Sequence, residues 1–522
     1  MDKEKTCNLL KHSENLKFKL ILESTIIGAV VGVMIVLHRI LLGKVTNLFM
    51  WFYSNSKGNF LNIILLFLIL ILSGYIVGIM VKKVPLISGS GIPQVEGILM
   101  KKLKGSWFKV LINKFTGGLI ALGAGLSLGR EGPSVQMGAS IGEGFAKIFK
   151  RVSVEERYLI TSGASAGLSA AFNAPISGVM FALEEVHKNF SPLVLLSVMG
   201  SALMSDFVTR KLLGTAKSLN FVGVKVLDLK YYWLLIILGI IVGISGVIFN
   251  SGILKTQFIF KKSKLSTEIK VIIPFLITGV VGLTAPILLG GGHGLIMSLD
   301  KSSITLKMLL LFLLVKYLLT FIGFGSGTPG GIFFPLLVLG ALIGNIFGIV
   351  AIDLFNIPSI YIINFIILAM AGNFASIVKA PITGIILICE MTGSFDHLLS
   401  LAIVCVIAYI TSDIFKSEPI YESLLERCLE SNNSKLEFNS ARKSLLEVVI
   451  HIGCEIEHKK IKDVKWPEKC LIVAITRGGK EIIPSGDTTL LGGDYLTIMA
   501  DEENSAYALD YVTDLTSNIK LL

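Results

Sequence analysis

Apolar runs of helical length recur along most of the chain, at about 20–42, 60–81, 108–128, 159–183, 192–213, 231–252, 271–290, 306–323, 331–355, 359–372, 381–392 and 398–412. Several fall short of the roughly 20 helical residues that cross a bilayer core of about 30 Å. Full and partial spans in alternation predict an all-α polytopic membrane protein with broken and reentrant helices. After Tyr421 the pattern changes: apolar runs shrink to strand length and charges become frequent. The expected organisation is a leader at 1–19, a transmembrane domain at 20–421, a helical linker at 422–442 and a small soluble α+β domain at 443–522. Within the last, "LLEVVIHI", "CLIVAITR", "EIIPSG" and "DYLTIMA" read as strands separated by glycine-rich turn signals.

Composition agrees with the pattern. The chain is 53% hydrophobic with a mean hydropathy of +0.75, far above what a soluble domain needs. Lys3, Lys5, Lys11, Lys17 and Lys19 precede the first run, which favours a cytoplasmic N-terminus and places the charge-rich C-terminal end on the same side. No small-residue cleavage site follows, so a cleaved signal peptide is not expected. The net charge of +11 is accounted for by basic flanks facing an anionic leaflet and requires no nucleic-acid polymer. Six cysteines, Cys7, Cys389, Cys405, Cys428, Cys454 and Cys470, show neither paired spacing nor a CxxC, which argues against disulfide and zinc frameworks.

The membrane part repeats itself. "NAPISGVMFALEE" (173–185) aligns with "KAPITGIILICEM" (379–391), matching Ala174, Pro175, Ile176, Gly178 and Glu184 to Ala380, Pro381, Ile382, Gly384 and Glu390. "GREGPSVQMGASIG" (129–142) aligns with "GIFFPLLVLGALIG" (331–344), matching Gly129, Pro133, Gly138, Ile141 and Gly142 to Gly331, Pro335, Gly340, Ile343 and Gly344. Two related halves are expected, at about 20–213 and 231–421. The shared Glu184–Glu390 pair points to a structural role.

Three glycine-containing stretches each lead into an apolar helix with Pro near its first turn: "SGSGIPQVEG" (88–97), "GREGP" (129–133) and "GGIFFP" (330–335). A helix start exposes unpaired N–H groups and the positive end of the dipole, and glycine lets a ligand approach them. Three converging starts would hold a small, weakly hydrated anion. Arg130 and Glu131 are ionisable residues inside such a stretch, where charge marks function.

These stretches resemble the CLC family of chloride channels and chloride/proton antiporters, whose signatures GSGIP, GREGP and GxFxP stand here as 89–93, 129–133 and 331–335 in family order. The similarity covers about residues 20–430 and implies the CLC-type inverted repeat. It further implies Ser90 as hydroxyl donor to a central chloride, with Gly91 and the amides of Ile332 and Phe333 beside it and the phenol of Tyr421 on the cytoplasmic side. Glu131 matches the gating glutamate, a carboxylate that competes with chloride and swings out when protonated. Lys114 matches a basic residue that supplies a positive field. Glu185 matches the internal proton-transfer glutamate that separates antiporters from channels. Family members that favour nitrate carry proline at the Ser90 position and the fluoride branch departs from serine, so Ser90 implies chloride. Arg130 is expected to offset the Glu131 charge or stabilise the loop.

The C-terminal stretch "IKDVKWPEKCLIVAITRGGKEIIPSGDTTLLGGDYLTIMA" resembles the RCK C-terminal (TrkA-C) domain. Such domains dimerise, regulate ion transporters and in several Gram-positive bacteria bind cyclic di-AMP. The resemblance sets Ile472 and Pro484 at nucleotide-contacting positions, with Arg477 nearby; an assembly module without ligand is the alternative.

Other motifs carry less. "GASAG" (163–167) has the form of a nucleophile elbow but lies in a small-residue helix, where Gly, Ala and Ser serve close packing. His293 reads as a loop residue, and no P-loop GK[ST] follows the glycine runs. No catalytic residue, metal site or cofactor is expected. The reading is a homodimeric, non-enzymatic chloride/proton antiporter of a bacterial plasma membrane, both termini cytoplasmic, dimerised through the membrane domain and the C-terminal domain. Its alternatives are a passive chloride channel on the same scaffold and a ligand sensor without transport.

Overall fold

A computed structural model describes residues 3–188, 190–215, 218–219, 221, 224–299, 304–431, 443–451, 453–468, 470–478, 480–501 and 505–517. The chain divides into two compact units, Met1–Asn433 and Ser434–Leu522. Positions 432–442 of the expected linker lie outside the described residues, and the part that is described belongs to a helix, α17 (Ile420–Ser431).

The first unit is helical throughout. Among the described residues, eight of its helices are long and apolar enough to cross a membrane, including α1 (here Phe18–Ser56), α2 (Phe60–Lys83), α8 (Pro192–Leu213), α9 (Trp233–Lys262) and α12 (Leu306–Gly325). Their outward faces carry Leu22, Leu68, Leu72, Phe207, Ile248 and Leu314, all exposed, an apolar surface on a scale that soluble monomers do not present. Fold and composition together make this a multi-pass membrane protein.

Short helices, α3 (Ile92–Leu99), α7 (Pro175–Phe181) and α15 (Pro381–Thr392), sit among longer ones, α4 (Trp107–Gly123), α5 (Glu131–Ile148) and α6 (Ser153–Phe172) in the first half and α13 (Phe333–Phe355), α14 (Ile362–Val378) and α16 (Leu398–Ile414) in the second. The apolar run expected at 159–183 is two helices, because Asn173 adopts φ +58° and ends α6 before Pro175 opens α7. His293, expected in a loop, opens the short helix α11 (His293–Ser298), which follows α10 (Thr267–Thr284). Its Nε2 lies 2.7 Å from the Ser218 carbonyl.

The halves correspond residue by residue. A Cβ on Gly138 or Gly142 would strike the α6 backbone at Gly163 or Leu159, and one on Gly340 or Gly344 would strike the α14 backbone at Ala369 or Phe365. Two helix pairs, α5 with α6 and α13 with α14, thus pack backbone to backbone through equivalent glycines. Gly163 and Gly167 of "GASAG" belong to this seam, with Ser165 buried in α6.

The second unit is a four-stranded antiparallel sheet, order β1 (Lys443–Val449), β4 (Tyr495–Asp501), β2 (Cys470–Arg477), β3 (Lys480–Ile482), with helix α18 (Ser505–Ser517). Its core is Val448, Ile450, Ile456, Ile475, Leu490, Leu496, Ile498 and Val512. Strand β3 stops before the expected end of "EIIPSG" because Pro484 has no N–H to donate to the ladder.

Candidate functional site

The three glycine motifs meet. Gly129 and Gly331 form an isolated antiparallel bridge: the Gly129 amide donates to the Gly331 carbonyl at 2.6 Å and the Gly331 amide to the Gly129 carbonyl at 2.7 Å. One two-residue ladder therefore ties the start of α5 to the start of its repeat mate α13. A Cβ on Gly132 would collide with Ser90 Oγ and sit 3.2 Å from Gly331 Cα, so the third motif touches the same point. Only glycine permits that approach.

The first turn of each helix leaves its amides without an intrahelical acceptor, and a proline there costs no bond. In α5 the first helical bond runs from the Ser134 amide to the Arg130 carbonyl at 2.9 Å, and in α13 from Leu336 to Ile332 at 3.0 Å. Pro133 and Pro335, one position earlier, contribute no donor. The amides of Glu131, Gly132, Phe333 and Phe334 therefore point out of their helix ends without an intrahelical partner. α3 starts from Gly91, whose φ of +98° turns the loop sharply into Ile92.

Ser90 and Tyr421 are both buried, and neither Oγ nor Oη has a hydrogen-bond partner, although the two side chains lie close together. Buried hydroxyls without acceptors are costly unless something accepts from them. Tyr421 is the second residue of α17, whose Leu425 packs against Gly97 of α3 and against Leu103 just beyond it.

Glu131 is buried, with Oε1 3.8 Å from Arg130 Nε and Oε2 lacking a hydrogen bond. Its carboxylate lies against the Phe334 amide at the start of α13. Arg130 also donates to the Ala171 carbonyl at 3.1 Å, so it both faces the carboxylate and secures the loop. Phe333 supplies core as well as backbone: its ring packs on Phe172, Phe181 and Phe374.

Lys114 is buried, and its ammonium donates to the Ile87 and Gly89 carbonyls at 2.9 and 2.7 Å. It therefore clamps the loop that presents Ser90. Its repeat mate escaped the sequence reading: Lys316 is equally buried and donates to the Leu288 and Gly290 carbonyls at 3.0 and 2.7 Å. The signal was available, since Lys114 and Lys316 are 202 positions apart, the same offset as Gly129 and Gly331. Arg39 of α1 was also missed; it donates to the Ala170 carbonyl at 2.8 Å and to Asn173 Oδ1 at 2.7 Å.

Glu184 and Glu390 exchange caps. Glu184 accepts from the Ile382 and Thr383 amides of α15 at 3.2 and 2.8 Å, and Glu390 accepts from the Ile176 and Ser177 amides of α7 at 3.0 and 2.7 Å. Each half thus caps a helix of the other. Glu185, the next residue, points elsewhere. It is buried in a π-turn (Ala182–Val186) after α7, and its Oε1 has no partner.

A cavity of about 1120 Å³ opens onto Ser90, lined in part by Ser88, Gln94, Lys104, Lys109, Lys270 and Arg427. Among the described residues no cluster of His, Cys, Asp and Glu could hold a metal.

In the second unit, Arg477 grips Asp494 with two bonds of 2.7 Å, Nε to Oδ1 and Nη2 to Oδ2, and also donates to the Thr489 carbonyl. Burial alone would raise the Asp494 carboxyl, but the Arg477 guanidinium and the Leu491 amide hold it below the usual carboxylate range. Ile472 and Pro484 are half-buried.

Fold and site together define a class: a multi-pass membrane protein of two repeated halves whose broken helices start at one buried point. The pattern of the family described as voltage gated chloride channel matches residues 73–413, and that of the TrkA-C domain matches residues 445–513. Over 362 residues the chain is 37% identical to the H(+)/Cl(-) exchange transporter ClcA of Salmonella typhi, covering 68% of this chain and 76% of that protein. ClcA of Klebsiella pneumoniae subsp. pneumoniae is 37% identical over 358 residues, 67% and 76% of the two chains. Among solved structures, a slow cyanobacterial Cl-/H+ antiporter matches with a TM-score of 0.76 at 32% identity, covering 79% of this chain and 99% of that one. A CLC-type fluoride/proton antiporter matches at 0.64 and 25% identity, covering 76% and 96%. The chain belongs to the CLC family and carries a TrkA-C domain at its C-terminal end.

Proposed function

We propose that the chain exchanges chloride for protons across a bacterial plasma membrane. The observation that carries this reading is the pair of buried, unpartnered hydroxyls of Ser90 and Tyr421 beside two helix starts whose first-turn amides have no intrahelical partner. Those hydroxyls and the amides of Ile332 and Phe333, with Gly91 holding the turn, suit a dehydrated chloride, which needs several donors and no covalent chemistry. Ser90 argues for chloride over nitrate or fluoride. The two relatives and the cyanobacterial structure bear names that describe proton-coupled chloride exchange.

Glu131 is the gate in this reading. As a carboxylate it competes with chloride for the α13 amides, and on protonation it loses that attraction and yields the place to an anion. Glu185 hands protons toward it from the cytoplasmic side, and Lys114 holds the Ser90 loop while adding positive field. Both termini are cytoplasmic, as the basic leader favours. Two chains pair through the membrane unit and the C-terminal unit, and the latter regulates transport by binding cyclic di-AMP through Ile472 and Pro484, with Arg477 bracing the adjacent turn through Asp494.

The test is a vesicle assay with purified protein. Proton movement driven uphill by a chloride gradient is the expected result. Chloride flux alone would make the protein a passive channel, and absence of both would leave it a sensor.

A further inference from the structure

Glu185 does not stand alone. Glu96, from α3, is buried with neither carboxylate oxygen hydrogen-bonded, and it lies within electrostatic reach of Glu185. Lys188 Nζ is 3.9 Å from Glu96 Oε2 and also pairs with Glu422 Oε1. The side chains of Lys188 and Glu422 are 32% and 45% exposed, whereas Glu96 is 1% exposed. The cluster therefore runs from solvent at Glu422, through Lys188, to two buried acids.

The backbone is bent to make this possible. The π-turn is closed by a bond from the His187 amide to the Ala182 carbonyl at 2.8 Å, and such turns favour functional positions. Lys188 holds φ +53°, a left-handed conformation unfavourable for a non-glycine residue. The strain aims its ammonium at Glu96 and Glu422.

We propose that Glu96, Lys188 and Glu422 form the cytoplasmic proton-loading station that feeds Glu185. The inference rests on the exchange reading above. One ammonium faces two buried carboxyls and one exposed carboxylate, a charge balance that leaves room for a bound proton. A hydronium proton passes to an oxygen of Glu96, forming an O–H bond and releasing water. It then moves to Glu185, restoring the Glu96 carboxylate, while Lys188 stays an ammonium and Glu422 steers cations to the opening. Tyr421 is within electrostatic reach of Glu96, Glu185 and Glu131. Other charged or titratable neighbours are Glu184, committed to the α15 amides, His187, whose Nδ1 lies 3.1 Å from Thr161 Oγ1 with Tyr158 beside the ring, and Glu426, within electrostatic reach of Glu422 along α17.

The test uses full-length protein in vesicles, reading proton and chloride fluxes against cytoplasmic-side pH, with calorimetric chloride binding as the control for folding. Glu96→Gln should cut the proton-to-chloride ratio at least fivefold, with partial recovery in Glu96→Asp. Lys188→Gln removes the cation and should move the half-point of proton uptake to higher pH; Glu422→Gln removes the anion and should move it lower. Opposite shifts from two partly exposed side chains are not produced by a merely structural role, and they decide the matter even if Glu96→Gln fails to fold. Should Glu185→Gln leave coupling intact, the proton-transfer role of Glu185 and the station that feeds it both fail while exchange stands; absence of uphill proton movement in the unmodified protein is what would overturn the exchange reading. Should Glu185→Gln uncouple transport while the other variants keep the wild-type ratio and pH profile, the loading station is wrong and the reading stands.

Discussion

At the level of single residues, the proposed gate is a competition between the Glu131 carboxylate and chloride for backbone donors. Glu131→Gln removes the negative charge while keeping the shape, so chloride flux should persist, lose its pH dependence and carry no protons; a vesicle assay across pH 4 to 8 checks this. Gly132→Ala drives a methyl into Ser90 Oγ. Overpacking of this kind costs about 1–3 kcal/mol, so chloride affinity measured by calorimetry should fall by roughly ten- to a hundredfold. Ser90, Glu131 and Tyr421 were legible because they stand in motifs. Lys316 was legible through its offset of 202 from Lys114, whereas Phe334 and Glu96 were not. Phe334 acts through its amide, which no side-chain pattern advertises. Glu96 sits inside "SGSGIPQVEG" as one acid among apolar neighbours and acquires meaning only when Lys188 and Glu422 arrive from distant helices.

Helices carry the repeat. The alignment of Glu184 with Glu390 anticipated a structural pair, and the exchange of caps between α7 and α15 gives its form. Hydrogen bonds to a charged acceptor contribute about 1.5–3 kcal/mol each. Glu184→Ala and Glu390→Ala should therefore lower the thermal unfolding midpoint in detergent by comparable amounts, since each removes the same bonds from an equivalent helix. A tenfold disparity in effect on chloride flux at permissive temperature would contradict a purely structural role. In the second unit, Asp494 ties β4 to Arg477 at the end of β2, and Asp494→Asn should destabilise that unit by about 2 kcal/mol. The sign with pH follows from its depressed carboxyl: the stabilisation is present above the unfolded-state value of about 3.9 and is lost as pH falls through the lower folded value. Circular dichroism of the strand signal below about pH 4 reads it out, and Asp494→Asn should flatten the dependence.

For the whole molecule, two compact units imply separable tasks. Truncation after Asn433 should leave chloride flux in vesicles while abolishing any response to cyclic di-AMP; a silent truncated protein of normal chloride affinity would show that the second unit is needed for transport itself. The sequence by itself determined the class, because apolar run lengths, the strand-like tail and two internal alignments are local or periodic properties that survive in one dimension. It also determined which glycines and prolines open the broken helices, since backbone freedom and a missing N–H belong to the residue. Only the tertiary structure decided that Gly129 bonds Gly331, that Ser90 and Tyr421 lie close together without an acceptor, and that three charged side chains from three segments gather around Glu185. Those are long-range juxtapositions, set by how the two halves pack, and no spacing along the chain encodes them.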